Sequence, residues 1–511
     1  MRAIFTLLAL TGALSAQQQA PVKTDCAVDG STVNAVTNEP IPRAHITLSG
    51  AGGQSSVAAD NSGHWSFSNV ACGRVQIMAN RNGFLARASG PPFGPVVLSS
   101  GAPVHDVKVE LTPQAVVVGK VVDDQGDPIM NAQVAPLISR VVEGRRSFQQ
   151  AGTASTNDLG EFRLASLIGG KYIICARANE RGLGDPATTG ESCYPGPVEA
   201  GAASAMELAA GHETRLDFTL TEVPTVHVRG TISGMPKNQG AGITLVKRGS
   251  SVPVGNRQAR IGPEGTFDVA GVTAGSYMLS TDYFEGGAHL TARVPVEVGN
   301  ADVDDVAVHL EAGFTVTGRV RMESKAGSAP ANRQFTLSLR STEPRVGSGH
   351  LTWSADNSTF TIPDVTPGNY QLDAFPPGPF FVKSATLGGI DILRQEIPIA
   401  QAAEPLEIVL SDNSGAMDAL VTGADDEPVA SSMVMLLQDG LRPRMAASGA
   451  DGHVKMQGLA PGDYRIYAWE DVSQVEYADA DWMKRYGGNG VAVTVEAGRT
   501  EQVTVKRQAV P

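Results

Sequence analysis

One turn, written five times, constrains this chain more than anything else in it. Its fullest form is Ala460-Pro461-Gly462-Asp463-Tyr464. Upstream stand Thr366-Pro367-Gly368-Asn369-Tyr370, Thr273-Ala274-Gly275-Ser276-Tyr277, Ile168-Gly169-Gly170-Lys171-Tyr172 and Ala71-Cys72-Gly73-Arg74-Val75. Successive motif glycines are 97, 105, 93 and 94 residues apart. Eight positions before each glycine is a bulky residue: Trp65, Phe162, Phe267, Phe360 or Val454. Three positions before each is an aliphatic: Val70, Leu167, Val272, Val365 or Leu459. Such fixed spacing means one supersecondary unit built five times. At 511 residues the chain exceeds what one core can organise. The expected division is a leader peptide over 1–16, then repeats over 24–112, 113–221, 222–311, 312–411 and 412–511.

Within each repeat the order of signals is the same. A short strand such as Val118-Gly119-Lys120-Val121 is followed by a Pro-containing turn and an alternating strand, Asp127-Pro128 to Val134. An Asx/Gly turn follows, with Asp60, Asp158, Asp356 or Asp451 in four of the copies, and a strand of alternating bulky residues leads to the motif glycine. Short alternating strands separated by turn signals predict an antiparallel β-sandwich. The 57 glycines and 31 prolines fit that economy of turns. The one helical possibility is a turn or two over residues 479–486. In the motif itself, Gly73, Gly170, Gly275, Gly368 and Gly462 are expected to serve as structural turn residues with positive φ. The tyrosine two positions on should return into the sandwich and reach a backbone carbonyl with its hydroxyl. Short links between repeats predict a bent rod of five domains.

These motifs resemble the carboxypeptidase regulatory-like domain and, more broadly, the transthyretin-like and Cna-B-type sandwiches of secreted bacterial proteins. The matching stretches are Val118-Gly119-Lys120-Val121, Asp127-Pro128 to Val134, Asp158-Leu159-Gly160-Glu161-Phe162 and Ala460-Pro461-Gly462-Asp463-Tyr464. The resemblance spans nearly the whole chain after the leader, with single-position departures in repeats one, three and five. It implies five tandem Greek-key sandwiches of the prealbumin-like, carbohydrate-binding-like fold, all-β, and it implies no reaction. Some Cna-B-type domains carry isopeptide cross-links, for which Lys120 is the one suggestive first-strand lysine; a solvent-facing side chain is the expected reading.

Charge and processing signals narrow the setting. A net charge of −13 without clustered Lys/Arg excludes nucleic acid and anionic membrane surfaces as expected partners. Arg2, the apolar stretch of residues 4–14 and Ala13-Leu14-Ser15-Ala16 read as a cleavable export signal, with no cysteine for a lipid anchor. No later stretch is apolar enough to span a bilayer. The expected location is therefore exported: periplasmic, outer-surface or extracellular. Four cysteines in such a chain are read as disulfides. Of three connectivities, Cys26 with Cys72 and Cys175 with Cys193 keep each bond inside one repeat and are expected.

No catalytic signature is present. The nine histidines are scattered and form no HExxH or HxxE pair for zinc, and there is no GxSxG elbow or P-loop. The Asx/Gly turns supply one or two oxygens where calcium needs about six, so they read as ordinary turns. Interdomain calcium at Asp304 and Asp305 has nothing to support it. The expectation is no enzyme, no cofactor and no metal. Binding is the better class, because repeat five concentrates Tyr464, Tyr467, Trp469, Tyr477, Trp482 and Tyr486 beside Glu470, Asp471, Asp479 and Asp481. Aromatic faces beside carboxylates can stack on sugars or anchor a protein. The candidate ligand residues are Trp469, Tyr477, Trp482, Tyr486, Glu470 and Asp471, against a bland reading in which the first aromatics are core. Phe375, Phe380 and Phe381 among prolines read as an ordered loop. The expected function is a non-catalytic binding or adhesion protein with carbohydrate as ligand class. The alternative is a structural or protein-interaction scaffold of the cell envelope, such as a partner of an outer-membrane uptake system.

Overall fold

A computed structural model describes residues 25–86, 96–178, 187–189, 192–195, 205–234, 242–248, 257–262, 264–285, 288–323, 335–341, 347–354, 357–401, 404–488 and 490–509. The expected leader, the Asp356 turn residue and most of the 179–197 insertion lie outside these. The described chain is nearly all β. It has five hydrophobic cores, built from residues 26–111, 115–220, 226–310, 316–410 and 417–505.

Units one to four divide their strands between two main sheets of constant plan; in unit five a parallel contact between Gly462–Trp469 and Thr500–Gln508 joins the two into one seven-stranded sheet. In the first sheet, a first strand (Cys26–Asn34, Ala115–Val122, Val226–Ser233, Phe314–Glu323, Gly415–Thr422) pairs antiparallel with a bulky strand (His64–Val70, Glu161–Leu167, Thr266–Val272, Thr359–Val365, His453–Leu459). On its other side the first strand pairs in parallel with the strand that closes the unit. The purely antiparallel expectation is corrected here. The closing segment returns by a crossover from the other sheet, so it arrives in the first strand's own direction. In the second sheet, the strand that begins at the motif glycine pairs antiparallel with an earlier strand in every unit.

The register makes one contact recur. Gly30 faces Trp65, Gly119 faces Phe162, Gly230 faces Phe267 and Gly318 faces Phe360 across the pair. A Cβ on Gly230 would stand 2.0 Å from the Val306 carbonyl oxygen of the closing strand and 2.8 Å from the Phe267 ring. The bare backbone thus admits the ring and the closing strand at once. Unit five has Ala419 opposite Val454: the methyl group is accommodated where the ring is missing.

A bulge resolves a puzzle of parity. Positions −8, −6 and −3 from the motif glycine are all buried, although strict alternation puts −3 on the opposite face from −8 and −6. In every unit the register slips between the −6 and −3 residues, as at Phe67 and Val70 opposite Val28 and Cys26. The extra residue sits at −4 with left-handed backbone: Asn69 (φ 56°), Ser166 (64°), Gly271 (70°), Asp364 (52°) and Gly458 (64°). One inserted residue flips the rest of the strand, which turns the −3 aliphatic into the core.

Past the bulge the chain reverses at the motif glycine, with φ of 119° at Gly73, 152° at Gly275 and 145° at Gly462; Gly170 is nearly extended at 159°, and Gly368, expected to share the positive φ, does not have it. Four tyrosines then fold back on the turn that precedes them. Tyr172, Tyr277, Tyr370 and Tyr464 donate to the carbonyls of Ile168, Thr273, Thr366 and Ala460 at 2.9, 3.0, 2.7 and 2.8 Å, each four residues upstream. All four rings are buried. Covalent clips join Cys26 to Cys72 and Cys175 to Cys193. A disulfide of such loop length is worth about 3–4 kcal/mol through the entropy of the unfolded chain.

Two expected outcomes follow from these contacts. Gly230→Ala destabilises the third unit by about 1–3 kcal/mol through forced overpacking, whereas Ala419→Gly costs the fifth only about 0.5–1 kcal/mol; hydrogen exchange resolved by unit measures both. Burial pushes the Tyr172 and Tyr464 phenols up to about 12, against about 10 in an unfolded chain. Because the folded value is the higher, this stability is complete below about pH 10 and is lost as pH rises towards 12. Denaturant titrations across that window show the loss, and Tyr172→Phe and Tyr464→Phe reduce it.

Candidate functional site

The strand Gly462–Trp469 is the frame of the aromatic region. Its first half alternates, but its last four residues are all buried. Tyr464, Ile466 and Ala468 point into the main core. Tyr467 and Trp469 point out of the opposite sheet face into a second small core with Met435 and Val475, flanked by Val472, Tyr477, Trp482 and Met483. A strand covered on both sides loses its polar alternation, and that is the signal in Ile466-Tyr467-Ala468-Trp469. Trp469 is 1% exposed, so it offers no face to a ligand: the bland reading of this residue is the structural one.

The other candidate residues separate by role. Asp471 accepts from the Ser473 amide at 2.8 Å and its hydroxyl at 2.5 Å, closing a turn. Asp479 caps the helix Ala480–Tyr486 by accepting from the Trp482 amide at 2.8 Å. Glu470 is exposed, and its amide donates to the Gln508 carbonyl. The rings form a ladder from inside to outside: Trp469 to Trp482 at 5.8 Å, then Trp482 to Tyr486 at 5.1 Å, with the Arg485 guanidinium 5.9 Å from the Tyr486 ring. Trp482 is half-buried and Tyr486 exposed. Of the candidate rings, Trp482 and Tyr486 keep outward surface, beside the exposed Glu470 and Asp471. Tyr477 is covered by another unit: a Cβ on Gly144 of unit two would lie 2.5 Å from its ring.

Sequence reasoning missed that covering unit. In unit two the strand Gly170–Arg177 is likewise buried on both faces, with Ile173 and Cys175 in a small outer core beside Leu137 and Phe148. The hairpin Gln133–Val142 and Arg145–Gln150 reaches from this face to units four and five. Arg146 bonds Glu476, Glu143 pairs with Arg340 and Arg442, and the Ala478 amide donates to the Gly144 carbonyl. Contacts between units two, four and five replace the expected bent rod. Its prediction rested on link length, which carries no information about outward faces.

Units four and five meet through the proline-flanked loop after Phe375. The bulge glycine Gly458 lies under it, where a Cβ would be 2.7 Å from the Gly378 carbonyl oxygen and 2.9 Å from that of Phe380. Arg444 fixes the bulge by donating to the Gln457 and Gly458 carbonyls, both at 2.9 Å. A 130 Å³ cavity lies in this seam among Phe380, Phe381, Leu441 and Tyr464. Beside it a 690 Å³ cleft is lined by Glu323, Lys383, Arg394, Asp412 and the motif residues Ala460 and Pro461.

The titratable groups are paired across strands. His105 pairs with Asp29 at 2.5 Å, His227 with Asp268 at 2.6 Å and His453 with Asp418 at 2.7 Å. Asp304, once considered for calcium, accepts from Arg229 at 3.0 Å. Asp302 accepts from the His227 amide and from Arg229, which hold its carboxyl below the usual range. The Asp60 oxygen accepts from the Ser62 and His64 amides. Among the described residues the one grouping with metal-ligand types, Asp25, Cys26 and Cys72, has its sulfurs in a disulfide. Lys120 is half-exposed on the outer face, opposite Glu161.

No family model matches the chain, and no curated protein matches it. Among solved structures it is similar to the Bacillus anthracis TIE protein, at 13% identity over 56% of this chain and 51% of that one, with a TM-score of 0.18. It is similar to GBS52, the minor pilin of Streptococcus agalactiae, at 14% over 39% and 98%, with a TM-score of 0.21. A streptococcal ancillary pilin is similar at 10% over 56% and 99%, with a TM-score of 0.17. The chain spans about half the length of the TIE protein. Likenesses this slight carry no argument about what the chain does.

The geometry separates Trp469 from Trp482. Trp469→Ala empties a closed core and destabilises unit five by about 3–5 kcal/mol. Trp482→Ala, at the rim, costs clearly less in the same denaturant titration of the two variants.

Proposed function

We propose that this chain is a non-catalytic, exported scaffold of the cell envelope, built from five domains of the carboxypeptidase regulatory-like and Cna-B kind, that serves adhesion or protein interaction. Each of the five cores is taken as one domain, with boundaries near residues 112, 221, 311 and 411. The observation that carries this reading is how the departures from the repeat are used. The aromatic loop of unit five, the disulfide-clipped face of unit two and the Phe/Pro loop of unit four cover sheet faces and one another. They stiffen an assembly and do not line a reaction centre. Two disulfides support an oxidising, exported setting. No helix of the described residues is long and apolar enough to cross a membrane.

Carbohydrate binding is a second reading, favoured by one observation: Trp482 and Tyr486 form a partly exposed aromatic pair with Arg485 beside it. Stacking of a sugar on such a pair is the expected mode. A glycan array probed with wild type, Trp482→Ala and Tyr486→Ala tests it. Binding that falls at least tenfold in both variants supports a carbohydrate site there. No glycan binding by a folded wild type removes the carbohydrate reading and leaves the scaffold.

A further inference from the structure

The hairpin tip of unit two is an unusual loop in an unusual place. Val142 pairs with Arg145, so the loop is the two residues Glu143 and Gly144. Both have positive φ, 51° and 73°. Such loops favour Asn, Asp or Gly, and a glutamate at the first position is poorly suited to left-handed backbone. The strain is explained by where the side chain goes. The Glu143 carboxylate lies between two guanidiniums, Arg340 of unit four at 3.4 Å and Arg442 of unit five at 3.6 Å.

The receiving surface is also held by bonds of its own within units four and five. Asp373, 5% exposed, accepts from Arg340 at 3.3 Å and from Arg442 at 2.8 Å, holding both guanidiniums side by side. Arg340 also donates to Gln371 at 2.6 Å, and Gln371 donates to the Gly440 carbonyl at 2.8 Å, so units four and five are already joined behind it. Beside the arginines the Tyr477 ring takes the bare face of Gly144. The Ala478 amide donates to the Gly144 carbonyl at 3.0 Å. Arg146 completes the contact with two bonds to Glu476, 3.0 Å from Nε and 2.5 Å from Nη2, across 330 residues of sequence.

We propose that Glu143-Gly144 is a tethered carboxylate ligand, and that Arg340, Arg442 and Tyr477 form its receptor: a latch that closes unit two onto units four and five in the same chain. The latch is a built recognition site because each component answers a specific one on the other side. Carboxylate meets a guanidinium pair, glycine meets a ring, and a carbonyl meets a free loop amide. Unit three, between the latched partners in sequence, is thereby held in a closed loop of domains. Opening would uncover the Tyr477 ring and the arginine pair.

The test uses the full chain, with small-angle scattering for its radius of gyration and hydrogen exchange for the Ala478 amide. Arg146→Glu is expected to expand the chain and to speed Ala478 exchange about a hundredfold or more, since breaking one side of a largely buried pair is worth that factor; Glu143→Lys, at a more exposed pair, moves both readouts in the same direction by less. Core amides of the five units keep their wild-type protection. The swap Arg146→Glu with Glu476→Arg restores both readouts. Gly144→Ala, which leaves every charge in place, opens the latch by steric means. Unchanged size and exchange in Glu143→Lys and Arg146→Glu overturn the proposal. So does wild-type association that rises with concentration and vanishes in Glu143→Lys, which assigns the contact to a second copy.

Discussion

The structure depends first on a backbone with nothing on it. At Gly30, Gly119 and Gly230 an aromatic ring and the closing strand both come within 3.0 Å of where a Cβ would stand. At Gly119 a Cβ would sit 1.6 Å from the Leu216 carbonyl oxygen, and at Gly30 it would sit 1.9 Å from that of Val107. No rotamer relieves a clash with backbone, so at these sites any side chain forces the paired strands to shift. The exception confirms the logic. Unit five pairs Ala419 with Val454, and the loss of a ring frees the volume that a methyl group takes. Two positions 35 to 43 residues apart therefore act as one unit of packing, repeated along the chain.

Most of the fold was legible because these constraints are local in spacing even when distant in space. The −8 and −3 residues, the turn glycine and the returning tyrosine each occupy a fixed place in the repeat. The phenol bonds to carbonyls four residues back required only that the turn be tight. The bulge was not read, although its trace is in the sequence: Asn69, Ser166, Gly271, Asp364 and Gly458 include the types that best tolerate left-handed backbone. The parallel closing strand was not legible either. Hydrophobic alternation reports which face a strand buries and says nothing of its direction.

The aromatic cluster of unit five was legible in the sequence; the burial of Trp469 in a second core was not. Residues 464–486 do hold the densest aromatic cluster, but a cluster is equally what a second core needs. The deciding mark was the loss of alternation after Arg465. An exposed stacking platform would keep polar residues between its rings, whereas Ile466-Tyr467-Ala468-Trp469 has none. Carboxylates close to aromatics in sequence proved to be a cap and a turn, because Asp at those positions answers the backbone first.

A single position shows where the five units diverge in use. Five residues after the motif glycine, the outward face carries Met78, Cys175, Ser280, Asp373 and Tyr467 in turn. In unit one that residue is exposed; in the other four it is buried. Cys175 is held by a disulfide, Asp373 by two arginines from units four and five, and Tyr467 by the folded aromatic loop. The inner face must satisfy the sandwich and cannot vary far. The outer face is free to take any cover, and at Asp373 and in the aromatic loop over Tyr467 the cover also meets a neighbouring unit. Association between units is thus written in the positions that the repeat leaves unconstrained, which is why a reading based on the repeat alone finds the repeated cores and misses how they meet.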